Sequence, residues 1–353
     1  MNQYYVIGIM SGTSLDGIDI ALCRFEEKGK AWKYEIVKAK TYPYADAWRK
    51  SLTRSIGLNS FDFLKLHKEY GALIAQVINK FMRTTESRVD FVASHGHTIY
   101  HEPDKGITFQ LGDGGVIASE TGYTTISDFR SFDVALGGQG APLVPVGDML
   151  LFDEYDYCIN FGGFANISFQ KGKERVAFDI SPMNTICNML AQELDFDYDK
   201  DGKIGKDGEL NYNLLQELNS LPYYSKPHPK SLSREWLESE FIPVLKKYPI
   251  RVESKLRTIY EHIAMQIAEI TGDTAEKKIL CTGGGALNRF LIKLIREKVT
   301  HQVIIPDKDL IQYKEAMIFG FLGVLRNLNE VNILSSVTGA KVDHSGGVIY
   351  KLK

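Results

Sequence analysis

Met10-Ser11-Gly12-Thr13-Ser14-Leu15-Asp16-Gly17-Ile18-Asp19 is the stretch on which the fold of this chain turns. Before it, Val6, Ile7 and Ile9 make a short apolar strand. After it, Ile18, Ile20 and Leu22 alternate with Asp19, Ala21 and Cys23, the pattern of a strand with one buried face. Glycines and hydroxyl side chains lie between the two. Glycine lets the backbone turn tightly and present bare N–H groups. Successive N–H groups and hydroxyls in such a turn form a concavity that suits phosphate oxygens. Asp16 and Asp19, at the same turn, can hold a magnesium ion through its water shell. A polar hairpin with no ligand has the same local signature, so the remainder of the chain has to decide.

The chain has 353 residues, more than one core usually serves, and two domains are expected. With 44% hydrophobic and 24% charged residues it has the composition of a globular protein. A net charge of −2 gives no electrostatic reason to expect nucleic acid or an anionic membrane as partner. No stripe of aromatic residues alternates with basic ones either. Cys23, Cys158, Cys187 and Cys281 stand far apart, form no C-x-x-C pair, and read as buried free thiols of a reducing compartment. No basic segment leads into an apolar run at the N-terminus, so no secretory signal is expected. The longest uncharged apolar run, Ala316 to Leu325, is too short to span a bilayer. A cytoplasmic protein is expected.

Beyond the hairpin, Tyr34, Ile36 and Val37 suggest a third strand. Leu66, Tyr70, Leu73, Ile74, Val77, Ile78 and Phe81 follow helical spacing, with Asn59 or Ser60 as N-cap. Val89 to Ala93 is a short buried strand that delivers Ser94-His95-Gly96-His97 into a loop. Gln110 to Gly115 leads into a short helix, and Thr124 to Ser127 is a strand ending on Asp128-Phe129-Arg130. Asp133 to Pro145, rich in Gly and Pro, is the expected domain boundary.

The second half opens as the first does. Tyr157 to Phe161 is a strand, Gly162-Gly163 a turn, Ala165 to Phe169 a return strand, and Arg175 to Phe178 a third strand ending on Asp179. A long helix covers Leu256 to Ile270. Lys278 to Leu280 is a strand followed by Cys281-Thr282-Gly283-Gly284-Gly285 and a helix, a general place for a nucleotide to lie against backbone. A last helix runs from about Lys314 to Asn327. Two α/β halves, each begun by a Gly-turn hairpin, are a duplication visible in layout rather than residue identity. They suggest a nucleotide held in a cleft between two lobes.

Two motifs point elsewhere. Asp197-Tyr198-Asp199-Lys200-Asp201-Gly202 opens like a calcium loop, but the position that demands a bidentate Glu is Gly208, with Glu209 one place late. His95, His97 and His101 have no cysteine or obvious carboxylate partner, which favours substrate hydrogen bonding over a metal.

Met10 to Asp19, Ser94-His95-Gly96 with Thr98 and His101, Asp128 to Pro145, Phe161 to Ile167, Tyr198 to Gly202 and Gly283 to Gly285 together resemble the bacterial anhydro-N-acetylmuramic acid kinases. The block from Asp128 to Pro145 is long and specific; the glycine motifs taken singly are not. The resemblance implies the α/β, two-lobed, duplicated ribonuclease H-like fold of actin and hexokinase. Lobes of 1–130 plus about 333–353 and of 131–332 are expected. It implies use of ATP and Mg2+ to open 1,6-anhydro-N-acetylmuramic acid and give N-acetylmuramic acid 6-phosphate in cell-wall recycling. Gly12, Thr13, Ser14, Leu15, Asp16, Gly17, Ile18 and Asp19 match the family's ATP segment. Gly283, Gly284 and Gly285 match the turn near the base, and Gly162 and Gly163 are assigned to the nucleotide with them. Asp179 matches the general base, and His95, Arg130 and Glu315 match sugar contacts. A homodimer stays open.

The chemistry explains the residue types. In a 1,6-anhydro sugar O6 is tied to C1, so no free hydroxyl is there to phosphorylate. Water has to attack C1 while O6 leaves and takes the γ-phosphoryl group. A carboxylate on the face opposite O6 removes the water's proton, as in inverting glycosidases. A guanidinium such as Arg130 suits bidentate grip of a lactyl carboxylate. Alternatives for these residues are a helix cap for Asp179 and a salt bridge from Arg130 to Asp128 or Asp133.

The sequence departs from the family at the segment after the base. Asp-Thr-Gly-Pro-Gly-Asn becomes Asp179-Ile180-Ser181-Pro182-Met183-Asn184, which puts two side chains where the family has bare backbone. His97 replaces a glutamine, and Lys-Ser-Thr-Gly-Arg reads Lys230-Ser231-Leu232-Ser233-Arg234. Two other classes of function therefore stay open. One is a catalytically weak relative that binds an anhydro-sugar or nucleotide as a sensor. The other is an ATP-driven conformational protein of the same superfold, which the sugar-type residues disfavour.

Overall fold

A computed structural model describes residues 2–12, 15–29, 31–273 and 275–352. The strands among them are β1 (Gln3–Ser11), β2 (Gly17–Lys28), β3 (Ala31–Pro43), β4 (Phe91–Glu102), β5 (Ile107–Leu111) and β6 (Thr125–Ser127). They continue with β7 (Tyr157–Phe161), β8 (Phe164–Lys171), β9 (Glu174–Pro182), β10 (Lys278–Thr282), β11 (Gln302–Ile304) and β12 (Val348–Tyr350). The chain divides into two compact units, Met1–Leu151 with Tyr313–Lys353, and Phe152–Gln312.

In the first unit β1, β2 and β3 form an antiparallel meander. β4 pairs with β1 in parallel, β6 with β4 in parallel, and β12 closes the edge against β6. Ile7, Ile9, Ile18, Ile20 and Leu22 meet Tyr70, Ile74, Ile78 and Phe81 of the helix Ser60–Met82 in one core. That helix starts where the sequence places it, since Asn59 accepts the Asp62 N–H at 3.0 Å. The run Ala316 to Leu325 lies within the helix Lys308–Asn327 and is almost wholly buried. This helix packs so closely on β1 that a Cβ on Gly8 would lie 1.9 Å from the Ala316 carbonyl oxygen, so only glycine fits there. No helix among the described residues is long and apolar enough to cross a membrane.

In the second unit β7, β8 and β9 form the meander, with β10 parallel to β7 and β11 parallel to β10. Ile159, Phe161, Ile167 and Ile279 pack with Ile186, Ile259, Ile263 and Leu291 from three helices. The strand orders β3-β2-β1-β4-β6 and β9-β8-β7-β10-β11 are the same order read twice. This is the duplicated, ribonuclease H-like α/β layout expected from the sequence. All four cysteines are buried and outside any disulfide.

Three details differ from the sequence expectation. β4 does not end at Ala93. It runs through Ser94-His95-Gly96-His97 to Glu102, because β5 folds back and pairs its outer half from His97–Leu111 to Glu102–Ile107. β9 likewise continues past Asp179, with Asn166 opposite Asp179 and Ala165 opposite Ser181 across a bulge. The division of the chain falls after Leu151 and Gln312 rather than after 130 and 332. The reason is packing: the helix Val144–Leu151 presses Gly147 against Ile318, and its Asp148 pairs with Lys314 at 2.7 Å.

Candidate active site

The β1–β2 hairpin turns at Gly12 to Asp16. Leu15 adopts the left-handed conformation, φ 59°, and its N–H donates to Gly12 O at 3.4 Å. Thr13 and Ser14 lie outside the described residues. Beneath the turn, Ser11 Oγ lies 2.6 Å from the Tyr44 hydroxyl and 2.9 Å from His97 Nδ1, and Tyr44 pairs in turn with the Tyr70 hydroxyl. This buried line fixes the residue before Gly12. Burial pushes His97 down to about 4, so its ring is neutral. Ile18 packs into the core and Leu15 leans on it, so these two offer a ligand chiefly their backbone.

Asp19 accepts a hydrogen bond from Thr41 Oγ1 at 2.5 Å. Burial and the negative charge of Asp16 hold its carboxyl above the usual range, Thr41 opposing them. A cation beside the two carboxylates would relieve both penalties. No cluster of three or more His, Cys, Asp or Glu suited to a metal is present among the described residues. Two carboxylates are the donor type that a hydrated magnesium ion takes, since it keeps much of its hydration.

His95, on β4, is buried. Arg130 donates Nε–H to its Nε2 at 2.9 Å and Nη1–H to Gly140 O at 2.5 Å. A guanidinium only donates, so His95 carries its proton on Nδ1, 2.9 Å from Gly96 O. Burial lowers Arg130 to about 10, against the charges of Glu315 and Asp133. Burial raises Glu315, opposed by Lys314 and Arg130 and reinforced by Asp19. Asp19, His95, Arg130 and Glu315 are thus one electrostatically coupled group. The salt bridge to Asp128 or Asp133 does not form: Asp133 takes Gly140 N–H at 2.6 Å and Thr338 Oγ1–H at 2.7 Å, and Asp128 takes Ser131 N–H at 3.2 Å. With Nε engaged, Arg130 keeps Nη2 and one Nη1 hydrogen for a carboxylate. His95 is engaged at both ring nitrogens and His97 at Nδ1.

In the second unit the Gly162–Gly163 turn is tied down by the backbone of the segment after Asp179. Asn184 N–H reaches Gly162 O at 3.2 Å, Met183 N–H reaches Gly163 O at 2.9 Å, and Asn184 Nδ2 reaches Phe161 O at 3.0 Å. Gly283 has φ 79° and no room for a side chain, since a Cβ would meet Asn160 Oδ1 at 2.6 Å and Phe161 O at 2.8 Å. Gly285 is packed against Met183 and Phe161, whereas Gly284 is exposed and opens outward.

Asp179 accepts the Leu232 N–H on Oδ2 at 2.8 Å, and its backbone carbonyl accepts the Tyr223 hydroxyl at 2.6 Å. It does not cap the following helix, Asn184–Gln192. Burial pushes its carboxyl up to about 6, partly offset by the Leu232 N–H. Ser181 and Met183, expected to crowd the backbone here, are both buried inside the unit. Ser181 Oγ turns to Pro182 O at 3.1 Å, and Met183 joins the core.

Two features escaped the sequence reading. The Lys314–Asp148 pair beside Glu315 and the segment from Tyr223 to Leu232 over Asp179 are both long-range contacts. Only the match at Lys230–Arg234 hinted at the second. The acidic loop is structural: Asp199 accepts Ile204 N–H at 2.8 Å, Gly205 N–H at 2.9 Å and the Tyr260 hydroxyl at 2.9 Å.

Comparison with known proteins bears on the same residues. The family model described as anhydro-N-acetylmuramic acid kinase matches residues 4–352. The anhydro-N-acetylmuramic acid kinase of Sulfurovum sp. (strain NBC37-1) is 34% identical over 373 residues, covering 99% of this chain and 100% of its own. That of Vibrio cholerae serotype O1 is 34% identical over 368 residues, covering 98% and 97%. Among solved structures, the activator of the 2-hydroxyisocaproyl-CoA dehydratase from Clostridium difficile with bound ADPNP aligns at a TM-score of 0.46 and 14% identity, over 92% of this chain and 97% of that one.

Proposed function

The chain belongs to the anhydro-N-acetylmuramic acid kinase family, and from that premise we propose that it opens 1,6-anhydro-N-acetylmuramic acid with water while phosphorylating O6, with ATP as donor. The observation that carries this reading is Asp179. It is a largely buried carboxylate with one oxygen anchored by Leu232, the other accepting no hydrogen bond among the described residues, and no cap to make.

The roles follow from what each side chain has free. Asp179 takes a proton from the attacking water, whose oxygen bonds to C1 as the C1–O6 bond breaks. The leaving O6 takes the γ-phosphoryl group. Arg130, locked by His95 and Gly140, presents its remaining N–H groups to the sugar's carboxylate. Glu315 offers a carboxylate to sugar hydroxyls. For the nucleotide, the segments assigned are Gly12 to Asp19, Gly162 with Gly163, and Gly283 to Gly285, where bare backbone N–H groups suit phosphate oxygens. Asp16 and Asp19 would hold magnesium, which when bound offsets phosphate charge.

The sensor reading rested on side chains at 181 and 183 obstructing the phosphates. Both are buried within the second unit, which removes that ground. Buried cysteines outside any disulfide suit a reducing compartment, and we place the reaction in the cytoplasm. Incubating the purified protein with ATP, magnesium and 1,6-anhydro-N-acetylmuramic acid tests the proposal. Formation of ADP and sugar 6-phosphate in equal amounts supports it; binding of both substrates without product refutes it.

A further inference from the structure

The segment from Tyr223 to Leu232 lies over β9 and touches Asp179 at two points. We propose that this segment is a positioning clamp that divides the labour of the Asp179 carboxylate, anchoring Oδ2 and leaving Oδ1 as the atom that receives the water's proton. The inference rests on the reading of Asp179 as the general base.

Each end of the clamp is a directed hydrogen bond. Leu232 N–H meets Oδ2 at 2.8 Å and fixes the side-chain rotor. The Tyr223 hydroxyl meets the Asp179 carbonyl at 2.6 Å and fixes the backbone. Between them, Lys230 ties the segment to itself and to β9. Its Nζ donates to Tyr223 O at 3.2 Å and Tyr224 O at 3.3 Å. The same ammonium sits 4.8 Å from the Tyr223 ring centre and 5.5 Å from that of Phe178. His228 stacks on Phe178, with ring centres 5.8 Å apart and planes 8° from parallel. Tyr223 is 3% exposed, so this hydroxyl is a buried group used for a bond to backbone.

The chemistry needs such an arrangement. A carboxylate free to rotate presents either oxygen at varying angles, and loss of alignment in a base costs rate steeply. An amide N–H on one oxygen stabilises charge there and leaves the proton to the other. The step balances: a water proton moves to Oδ1, the water oxygen bonds to C1, and the C1–O6 electron pair leaves with O6. Tyr223, Lys230 and Leu232 act through Asp179 and are positioning residues.

The test follows the Asp179 carboxylate itself, by carbon NMR of aspartate-labelled protein with Asp179→Asn identifying the resonance. Leu232→Pro removes the N–H on Oδ2. Its Asp179 midpoint should rise by about one pH unit, and kcat/KM should fall by about tenfold to a hundredfold. The sugar KM should stay within about twofold, since no sugar contact is lost. If that variant does not fold, Tyr223→Phe carries the test, with the same directions and smaller size. A purely structural role would lower activity at every pH without moving the midpoint. An unmoved Asp179 midpoint in a folded variant overturns the clamp. Should Asp179→Asn keep wild-type turnover, the base reading fails instead, and the titration still reports on the clamp.

Discussion

Arg130 Nε donates to His95 Nε2 at 2.9 Å, so a guanidinium, which can only donate, fixes the tautomer of a buried histidine. Burial first, and Arg130 second, hold His95 well below its ordinary value. His95 therefore stays neutral through the working pH range and serves as a brace for Arg130 rather than as an acid.

Arg130→Lys should break this brace, because an ammonium cannot reach His95, Gly140 and a ligand in one plane. Hydrogen bonds to charged groups contribute about 1.5–3 kcal/mol, so the sugar KM should rise by roughly tenfold to a hundredfold with a smaller change in the ATP KM. Steady-state kinetics with each substrate varied separately checks this. An equal rise in both would place Arg130 outside the sugar contacts.

Asp179 yields a prediction with opposite signs for activity and stability. The active base is the anion, so kcat/KM should fall as pH drops through about 6. The folded carboxyl lies above the unfolded value of about 3.9. Its contribution to stability is therefore full below the unfolded value and is lost as pH rises through the folded one. Asp179→Asn escapes that loss. It should be more stable than wild type at about pH 7.5, by up to ~3 kcal/mol, and equal to it near pH 3.5. Urea unfolding at the two pH values measures the difference, and a variant weaker than wild type at the higher pH would contradict it.

The hairpin of β1 and β2 was legible because the alternation from Ile18 to Cys23 is local, and so was the Asn59 cap. The candidate site residues could be named from the sequence one by one, but the contacts among them could not. Tyr223 and Leu232 reach Asp179 across separations of 44 and 53 residues, which no periodicity encodes. The extension of β4 past Ala93 depends on a partner strand whose residues look like loop. The Gly/Pro-rich stretch before Pro145 is a true break in local structure. Even so, the helix after it stays with the first unit, because Asp148 finds Lys314 there.

Ser181 and Met183 carry a prediction against intuition. Restoring glycine at 183 should not raise turnover, since the methionine fills core space, packed against Gly285 from inside the unit. Removing it should cost about 2–5 kcal/mol, as for other large core truncations. Thermal unfolding with a turnover assay decides, and a Met183→Gly protein that is both stable and faster would contradict the buried placement.

The two neighbouring glycines at 283 and 284 should separate cleanly. A Cβ on Gly284 meets nothing closer than Asn184 Nδ2 at 3.9 Å, so Gly284→Trp should fold and weaken ATP by at least about tenfold, the equivalent of 1.4 kcal/mol. Gly283→Ala should instead destabilise the fold by about 1–3 kcal/mol through its φ of 79°, before any clash is counted. Nucleotide titration beside thermal unfolding checks both, and unchanged ATP affinity in folded Gly284→Trp would remove this turn from the site.

The most direct measurement is turnover of ATP and 1,6-anhydro-N-acetylmuramic acid in water carrying heavy oxygen, quenched before the anomeric oxygen can exchange. Wild type and Asp179→Asn are compared side by side. The wild type should place one heavy oxygen at C1 and none in the phosphoryl group, and Asp179→Asn should be slower by about a hundredfold to ten-thousandfold. Heavy oxygen missing from C1, or an Asp179→Asn variant that turns over at the wild-type rate, would contradict the account.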